Sequence, residues 1–206
     1  NPQLYKENNL GFIKVDVFRL KFLIETIENL KQNLKKNNIT LIIKIGNPIE
    51  ELIKIIYEKK INNIYLQKEW TRDEIDEENC LRKKCTNVVF HETYDQFLYH
   101  PKDVDSELIS DIFTSFRKYC EKKVDVRHIS YLSKKLGTKN LLNDSYHTPS
   151  LHQLGFENFD IDDRSAFPFL GGSDSAKERL NYYLWRTKKI SYYKHTRNGL
   201  IGLDYS

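Results

Sequence analysis

The chain ends in a segment whose side chains are better suited to binding than to packing. Residues 192–199 read YYKHTRNG, a run of aromatic, cationic and amide groups without an apolar period. Loops of this kind commonly carry the contacts that a protein makes with its ligands. The sequence therefore indicates a surface that meets a ligand or another domain, with an ordinary surface loop as the alternative.

A second candidate is the carboxylate of Glu69, which follows Gln67 and Lys68. These residues end a short apolar run that reads as a strand, and the sequence TRDE at 71–74 then has the form of a helix capping box. Open parallel sheets present ligand-binding groups just beyond the carboxyl ends of their strands. Glu69 is therefore a candidate binding residue, with a solvated loop glutamate as the alternative.

The elements around Glu69 alternate between helix and strand. We predict helices over 17–35 and from Pro48 onward, and strands over 40–45, 63–67 and 87–91. The apolar stripe of the first helix consists of Leu20, Leu23, Ile24, Ile27, Leu30 and Leu34. The predicted core face of the second helix consists of Ile49, Leu52, Ile53 and Ile56. Such alternation is typical of parallel βαβ units in a layered α/β domain.

The pattern changes after residue 90. Residues 91–172 have no sustained period apart from a short helix expected over 114–122, and a stretch of this length is usually functional or a linker. The pair Gly171-Gly172 then precedes a last helix. One face of that helix carries Ala176, Leu180, Tyr183 and Leu184.

Composition limits the class of protein. The 206 residues suit one or two domains, and a net charge of +4 with interspersed acids and bases permits nucleic-acid contact without arguing for it. Cys80, Cys85 and Cys120 are odd in number, which disfavours a disulfide framework. The sequence contains no H-E-x-x-H, G-x-G-x-x-G or G-K-[ST] motif, and no apolar run long enough for a membrane span. We expect an intracellular protein, cytoplasmic if bacterial and organellar or nuclear if eukaryotic.

Several blocks of the chain resemble the photolyase–cryptochrome family, and specifically its DASH branch. The clearest is YKHTRNGLIGLDYS at 193–206, which is similar to the family segment YKxTRNGLxGxDYS. Further blocks follow in the family's order and lie at 18–53, 65–69, 98–104, 116–127 and 151–156. Together they cover nearly the whole chain.

The resemblance implies two cofactor sites. Glu69 would accept a hydrogen bond from the pterin ring of a folate antenna, 5,10-methenyltetrahydrofolate, with Gln67 and Lys68 beside it. Tyr193 and Ser206 would contact the phosphates at one edge of an FAD site, because hydroxyl groups donate to phosphate without crowding it.

The resemblance also implies a DNA-facing pair, Arg197 and Asn198. Arginine offers a forked, charge-assisted contact to a DNA phosphate, and a surface ion pair is the alternative for Arg197. No catalytic side chain and no metal ligand is implied within this sequence.

The implied fold is α/β, with a Rossmann-like parallel sheet and flanking helices over 1–95 as the photolyase-type antenna domain. An interdomain connector would follow over 96–172, and the start of an all-α FAD domain over 173–206. Because the sequence has no Met and begins at Asn1, we expect the native N-terminus and the family's first strand to lie outside it. Ser173 stands where the family usually has glutamate, and it receives no role beyond a possible effect on the helix start.

The implied activity of the parent protein is that of a deoxyribodipyrimidine photo-lyase. Blue light absorbed by folate would pass to reduced FAD, which splits cyclobutane pyrimidine dimers, chiefly in single-stranded DNA. We expect a monomer without membrane contact, and a fragment that is inactive alone. Two alternatives stay open: a light-signalling cryptochrome, and a cofactor-poor paralogue that serves as an interaction domain.

Overall fold

The structure is a computed structural model that describes residues 1–7, 9–94, 96–131, 135–142, 146–162 and 168–199. The chain forms two compact units. One consists of Asn1–Lys44 and Ser133–Ser206, as far as these are described, and the other of Ile45–Leu132.

The second unit contains a parallel two-stranded sheet. Strand β1 (Asn63–Gln67) pairs with β2 (Val89–Thr93) in a register that places Asn63 opposite Val89. Helix α2 (Pro48–Glu58) precedes the sheet in the chain, and helix α3 (Arg72–Lys84) connects the two strands. The predicted βαβ unit and the α/β class are therefore confirmed.

Helix α2 begins where the sequence predicts, because Asn47 caps it and Pro48 occupies its first turn. The Asn47 side chain accepts hydrogen bonds from the backbone N–H groups of Ile49 and Glu50 at 3.0 and 3.3 Å. The core of this unit consists of Ile49, Ile56, Leu81 and Cys85, with Ile53, Ile61, Ile64, Cys80, Val88 and Phe90 packed around them. Leu52 was predicted to belong to this core and is instead 42% exposed.

Two local predictions in this unit were wrong in detail. Thr71 precedes α3, but its side chain makes no capping hydrogen bond, so the predicted capping box is not formed. The strand predicted over 87–91 lies two residues later. The reason is that the backbone N–H of Val88 donates to the carbonyl of Cys85 at 3.2 Å, in the turn that ends α3, so that pairing starts at Val89.

The segment after β2 contains α4 (Phe113–Lys123), which confirms the short helix predicted there. Its Cys120 is only 1% exposed. Single 3₁₀ turns elsewhere in the described chain lie at Pro2–Leu4, Pro101–Asp103, Ser106–Leu108, Thr138–Asn140, His152–Leu154 and Lys189–Tyr192.

The first unit is organised around α1 (Val17–Lys36), as the apolar stripe predicts. The Asp16 side chain accepts a hydrogen bond of 2.6 Å from the Val17 N–H, and Asn37 ends the helix. Leu20 is buried with Val15 and Leu151. The residues packed against these three are Val17, Ile24, Leu154, Phe156 and Phe159. Two members of the predicted stripe, Leu23 and Leu30, are 44% and 46% exposed.

The last helix, α5 (Ser173–Asn181), continues through a π-helical turn at Tyr182–Arg186, and α6 (Tyr193–Thr196) follows. Gly172 precedes α5 with a φ of 111°, a left-handed value that glycine adopts without strain. The Ser173 hydroxyl donates to Asn29 of α1 at 3.2 Å and does not cap its own helix. The predicted apolar face of α5 contributes to an open apolar groove of about 530 Å³, in which Tyr183 is buried.

The strand predicted over residues 40–45 is not formed. Leu41, Ile42 and Ile43 are half-buried, but none of the described segments pairs with their backbone. A strand needs a neighbour that satisfies its N–H and C=O groups. Among the described residues, the only hydrogen bond to this segment runs from the Leu142 N–H to the Thr40 hydroxyl at 2.9 Å. An apolar β-branched run was therefore insufficient to predict a strand.

Candidate functional site

The carboxyl ends of β1 and β2 form the first candidate site. The ladder continues one residue beyond β1, because the Lys68 N–H donates to the Thr93 carbonyl at 2.8 Å. The half-buried Glu69 comes next, and its Oε2 accepts a hydrogen bond of 2.8 Å from the side-chain amide of Gln96. Its Oε1 has no partner within the described part of the chain, so one carboxylate oxygen is available to a ligand.

An aromatic cluster begins at Trp70, the residue that follows Glu69 in the chain. The ring of Trp70 lies 5.8 Å from that of Tyr94 and 5.4 Å from that of Phe97, measured between centroids. Trp70 and Phe97 remain 45% and 51% exposed. Large aromatic surfaces next to a carboxylate with an open oxygen can hold a flat, hydrogen-bonding ring system.

An ion-pair network crosses the same end of the sheet. Lys68 Nζ lies 3.4 Å from Glu92 Oε2, and the guanidinium of Arg82 contacts both Glu92 and Glu78, the latter at 2.6 Å. The pKa of the Glu92 carboxyl lies below its ordinary value. Burial alone would raise it, but a hydrogen bond with Glu78 and the contacts with Lys68 and Arg82 together lower it by more. The ammonium of Lys68 is thus paired with Glu92. A ligand that contacted this ammonium would share it with the Glu92 carboxylate.

Gln67 is the exposed last residue of β1 and pairs in register with Thr93. Because successive side chains of a strand point to opposite faces, that of Gln67 lies on the same face of the sheet as Tyr65. The structure therefore brings Lys68 to Glu92 and Glu69 to Gln96, and leaves Gln67 on the opposite face from Leu66.

Sequence reasoning missed the partners that follow β2. Gln96 bonds to Glu69, and Tyr94 and Phe97 contact the neighbouring Trp70, although all three follow the other strand. One signal was present: the carboxyl ends of adjacent parallel strands lie at one edge of a sheet, so polar and aromatic residues after the next strand were also candidates.

An open cleft of about 720 Å³ in the same unit is lined in part by Tyr94 and Phe97. Its aromatic and cationic lining residues are Tyr94, Phe97, His100, Lys102, Arg127 and His128. Arg127 makes a two-pronged contact with Asp103, with Nε and Nη2 each 2.6 Å from a carboxylate oxygen. The hydrogen bond from Arg127 holds the pKa of Asp103 below its ordinary value.

The second candidate site is the segment that begins with α6. The Arg197 N–H donates to the Tyr193 carbonyl at 2.8 Å, so these two residues lie one helical turn apart. Tyr193 is 43% exposed, and its hydroxyl makes no hydrogen bond with the described residues. Arg197 and Asn198 are exposed, and Arg197 forms no ion pair within the described ranges. Ser206, also predicted at this site, lies outside the described residues.

Neither site resembles a metal centre. Within the described residues, no three His, Cys, Asp or Glu side chains are grouped so that they could hold a metal ion. The three cysteines are free thiols, of which Cys85 and Cys120 are buried. No helix in the described ranges combines the length and the apolar character that crossing a bilayer requires.

Comparison with known proteins identifies the class. The family model described as DNA photolyase matches residues 2–134. The chain therefore belongs to the DNA photolyase family.

Its relatives narrow the assignment to the DASH branch. The chain is 35% identical over 204 residues to cryptochrome DASH from Xenopus laevis, covering 95% of this chain and 39% of the relative. It is 30% identical over 210 residues to cryptochrome DASH from Gloeobacter violaceus, covering 100% of this chain and 42% of the relative. The resemblance drawn from the sequence is confirmed, and the chain spans about two fifths of the length of these curated relatives.

Solved structures agree with the sequence comparison. The crystal structure of a cryptochrome from Synechocystis sp. matches the whole chain with a TM-score of 0.86 and 30% identity, over 43% of its own length. A class III photolyase from Agrobacterium tumefaciens matches 86% of the chain with a TM-score of 0.59, over 37% of its own length. Since the second match is only 14% identical, it supports the fold alone.

Proposed function

We propose that this chain is part of a blue-light-driven flavoprotein that splits cyclobutane pyrimidine dimers in DNA, preferably single-stranded, and that it carries the folate antenna site. The parent protein would act as a monomeric deoxyribodipyrimidine photo-lyase. Residues 1–95 would form the antenna domain, 96–172 the connector and 173–206 the start of the FAD domain. Family membership supports the reaction class. The open oxygen of Glu69 is the observation that carries the antenna assignment.

The residues at the end of β1 fit 5,10-methenyltetrahydrofolate. A pterin ring carries N–H donors along one edge, and Glu69 offers a half-buried carboxylate with one oxygen held by Gln96 and the other open. The exposed faces of Trp70 and Phe97 offer contact area for the aromatic parts of the molecule. Lys68 would contribute from its ion pair with Glu92.

The described part of the terminal segment fits one edge of an FAD site and no more than an edge. Tyr193 provides one exposed hydroxyl that no described residue uses, and a hydroxyl can donate to a phosphate oxygen. Ser206 would add a second hydroxyl. Arg197 and Asn198 would face DNA, where the guanidinium can contact a backbone phosphate.

When bound, FAD supplies the electron that opens the dimer and folate supplies absorbed light. The roles of this chain's own residues are to bind and to orient. Glu69 would hold the ring by its edge, while Trp70 and Phe97 would keep water from one side of it. Arg197 would position a DNA phosphate and carry no sequence information.

An absorption spectrum of the purified chain, recorded before and after denaturation, tests the proposal. Folate bands after reconstitution support the antenna assignment. Flavin bands show that the sample binds FAD. If neither chromophore is retained, the proposal fails and an interaction domain without cofactors becomes the better account.

A light-signalling cryptochrome is the second candidate, because the relatives are named cryptochromes and not photolyases. The discriminating experiment is illumination of the parent protein with single-stranded DNA that contains a pyrimidine dimer. Restoration of intact pyrimidines supports repair. Absence of repair by a protein that holds reduced FAD supports signalling.

A further inference from the structure

A cleft along α5 and the π-helical turn that follows it gathers aromatic and cationic side chains. It lies within the first unit and has a volume of about 400 Å³, a usual size for a small-ligand site. Its aromatic rings are those of Phe169 and Tyr182, and its cations are Arg179 and Arg186. None of the residues assigned above to folate, FAD or DNA is among its described lining residues.

Positive charge is concentrated around the ring of Tyr182. The guanidinium carbon of Arg179 lies 5.4 Å from the centre of this ring and 5.1 Å from that of Phe169. The Lys189 ammonium lies 5.2 Å from the same Tyr182 centre and donates a hydrogen bond to its hydroxyl. This bond and the neighbouring positive charges hold the pKa of Tyr182 below its ordinary value. An anion that enters the cleft therefore meets a region of positive potential.

Few carboxylates oppose this charge. Glu178 is the one carboxylate among the described lining residues. Arg186 is exposed, and its guanidinium has no carboxylate partner in the described ranges. The sequence over 182–199 contains five Lys and Arg residues and no Asp or Glu. The guanidinium of Arg186 thus offers its planar fork of donors to an anion, and phosphate oxygens match that fork.

The neutral groups of the cleft indicate what the rest of the ligand contains. Tyr182 is half-buried, so part of its ring can still pack against another flat ring. The exposed side-chain amide of Asn181 offers both a donor and an acceptor, which is the pattern that the edge of a nucleobase presents in return. The Ser175 hydroxyl can donate to or accept from a further hydroxyl group.

We propose that this cleft binds a free nucleoside phosphate, with the phosphate on Arg186 and the base against Tyr182 and Asn181. One exposed guanidinium without a partner among the described residues suits one phosphate group, which favours a free nucleotide over a nucleic-acid strand. The inference does not depend on the antenna or photo-lyase assignments, because it uses none of their residues.

Binding is measured on the whole chain with ADP that carries a fluorescent methylanthraniloyl group, by anisotropy at low salt. Unlabelled ADP should displace the label. Pyrophosphate and adenosine should each need at least about tenfold higher concentrations, because each supplies only part of the contacts. Displacement by pyrophosphate as effective as that by ADP would overturn the nucleotide assignment. A short oligothymidylate that displaces the label at lower concentrations than ADP would overturn it in favour of a nucleic-acid strand.

Arg186→Gln should weaken ADP binding by about three- to tenfold, as expected for one exposed charge-assisted contact. Lys177→Gln removes the same charge from α5, outside the cleft, and should leave ADP binding unchanged. Circular dichroism verifies that both variants fold. Hydrogen exchange with bound ADP should slow over 178–186. Equal ADP affinity of the two variants, or protection confined to 193–199, would place the nucleotide elsewhere and overturn the proposal.

Discussion

The side-chain amide of Gln96 donates a hydrogen bond of 2.8 Å to the carboxylate of Glu69. Glu69 follows β1 and Gln96 follows β2, so the bond joins the loops beyond the carboxyl ends of two parallel strands. It fixes one carboxylate oxygen, and the other oxygen has no hydrogen-bond partner among the described residues. A binding carboxylate that is oriented before the ligand arrives loses less freedom on binding.

Glu69→Gln should weaken folate binding by about tenfold or more, because a hydrogen bond to a charged acceptor is replaced by one to a neutral acceptor. The fold should be unaffected, since a glutamine carbonyl can still accept from Gln96. Folate titration followed by absorbance measures the effect. Glu58→Gln, at the exposed end of α2, is the matched control. An unchanged folate affinity in the Glu69 variant would contradict the antenna assignment.

Gly171→Ala should destabilise the first unit by about 1–3 kcal/mol, as overpacking typically does. A Cβ at this position would lie 2.3 Å from the Phe22 carbonyl oxygen and 2.7 Å from the Thr26 hydroxyl, so α1 and the start of α5 would have to separate. Urea unfolding followed by circular dichroism gives the free energy of unfolding, and hydrogen exchange in α1 locates the loss. Gly137→Ala is the control, because nothing lies within 4 Å of its Cβ position. Equal stability of the two variants would show that the close approach is not maintained in solution.

Asp174→Asn should reduce the acid sensitivity of the first unit. Hydrogen bonds from Asn29 and then Asn33 hold the pKa of Asp174 below its ordinary value of 3.8. Because the folded-state pKa is depressed, the carboxylate contributes stability above the unfolded pKa and loses it as the pH falls through the folded one. Unfolding free energies from pH 6 down to about pH 2 should therefore fall less steeply in the variant. Asp111→Asn, which alters a carboxylate in the other unit, is the comparison. A slope that does not change would mean that the contacts with Asn29 and Asn33 are not formed.

Arg82→Ala should destabilise the second unit by about 1–2 kcal/mol. The guanidinium contacts Glu78 and Glu92 and lies 4.5 Å from the centre of the Phe90 ring. Its removal therefore loses packing, takes the cation away from Glu78 and leaves Glu92 paired with Lys68 alone. Arg117→Ala removes an exposed pair with Glu121 on α4 and should cost no more than about 0.5 kcal/mol. Urea unfolding at low and high salt measures both. A loss for Arg82→Ala no larger than for Arg117→Ala would argue against a cooperative network.

Arg197→Gln should weaken binding of single-stranded DNA by the parent protein about equally for all sequences. Loss of one phosphate contact should also lower the slope of log affinity against log salt by about 0.7. Fluorescence anisotropy with a labelled oligonucleotide measures both quantities, and Arg117→Gln provides a control with the same change in charge. An unchanged salt slope for Arg197→Gln would remove this residue from the DNA-facing surface.

The sequence by itself was sufficient for features that short stretches of chain determine. Helix α1 was predicted over 17–35 and spans Val17–Lys36, because its apolar period, its cap at Asp16 and its end at Asn37 are all local. Strand β1 was predicted over 63–67 and has those bounds. The position of Glu69 just beyond a strand followed from the same pattern, as did the family resemblance.

Only the tertiary structure decided features that depend on distant partners. Residues 40–45 have the composition of a strand, yet no described segment pairs with them, whereas Val89–Thr93 pair with β1 and form β2. The bond between Gln96 and Glu69 likewise joins residues that are separated in sequence. The folded backbone brings such distant residues together. No local pattern in the sequence therefore specifies which strands pair or which side chains meet.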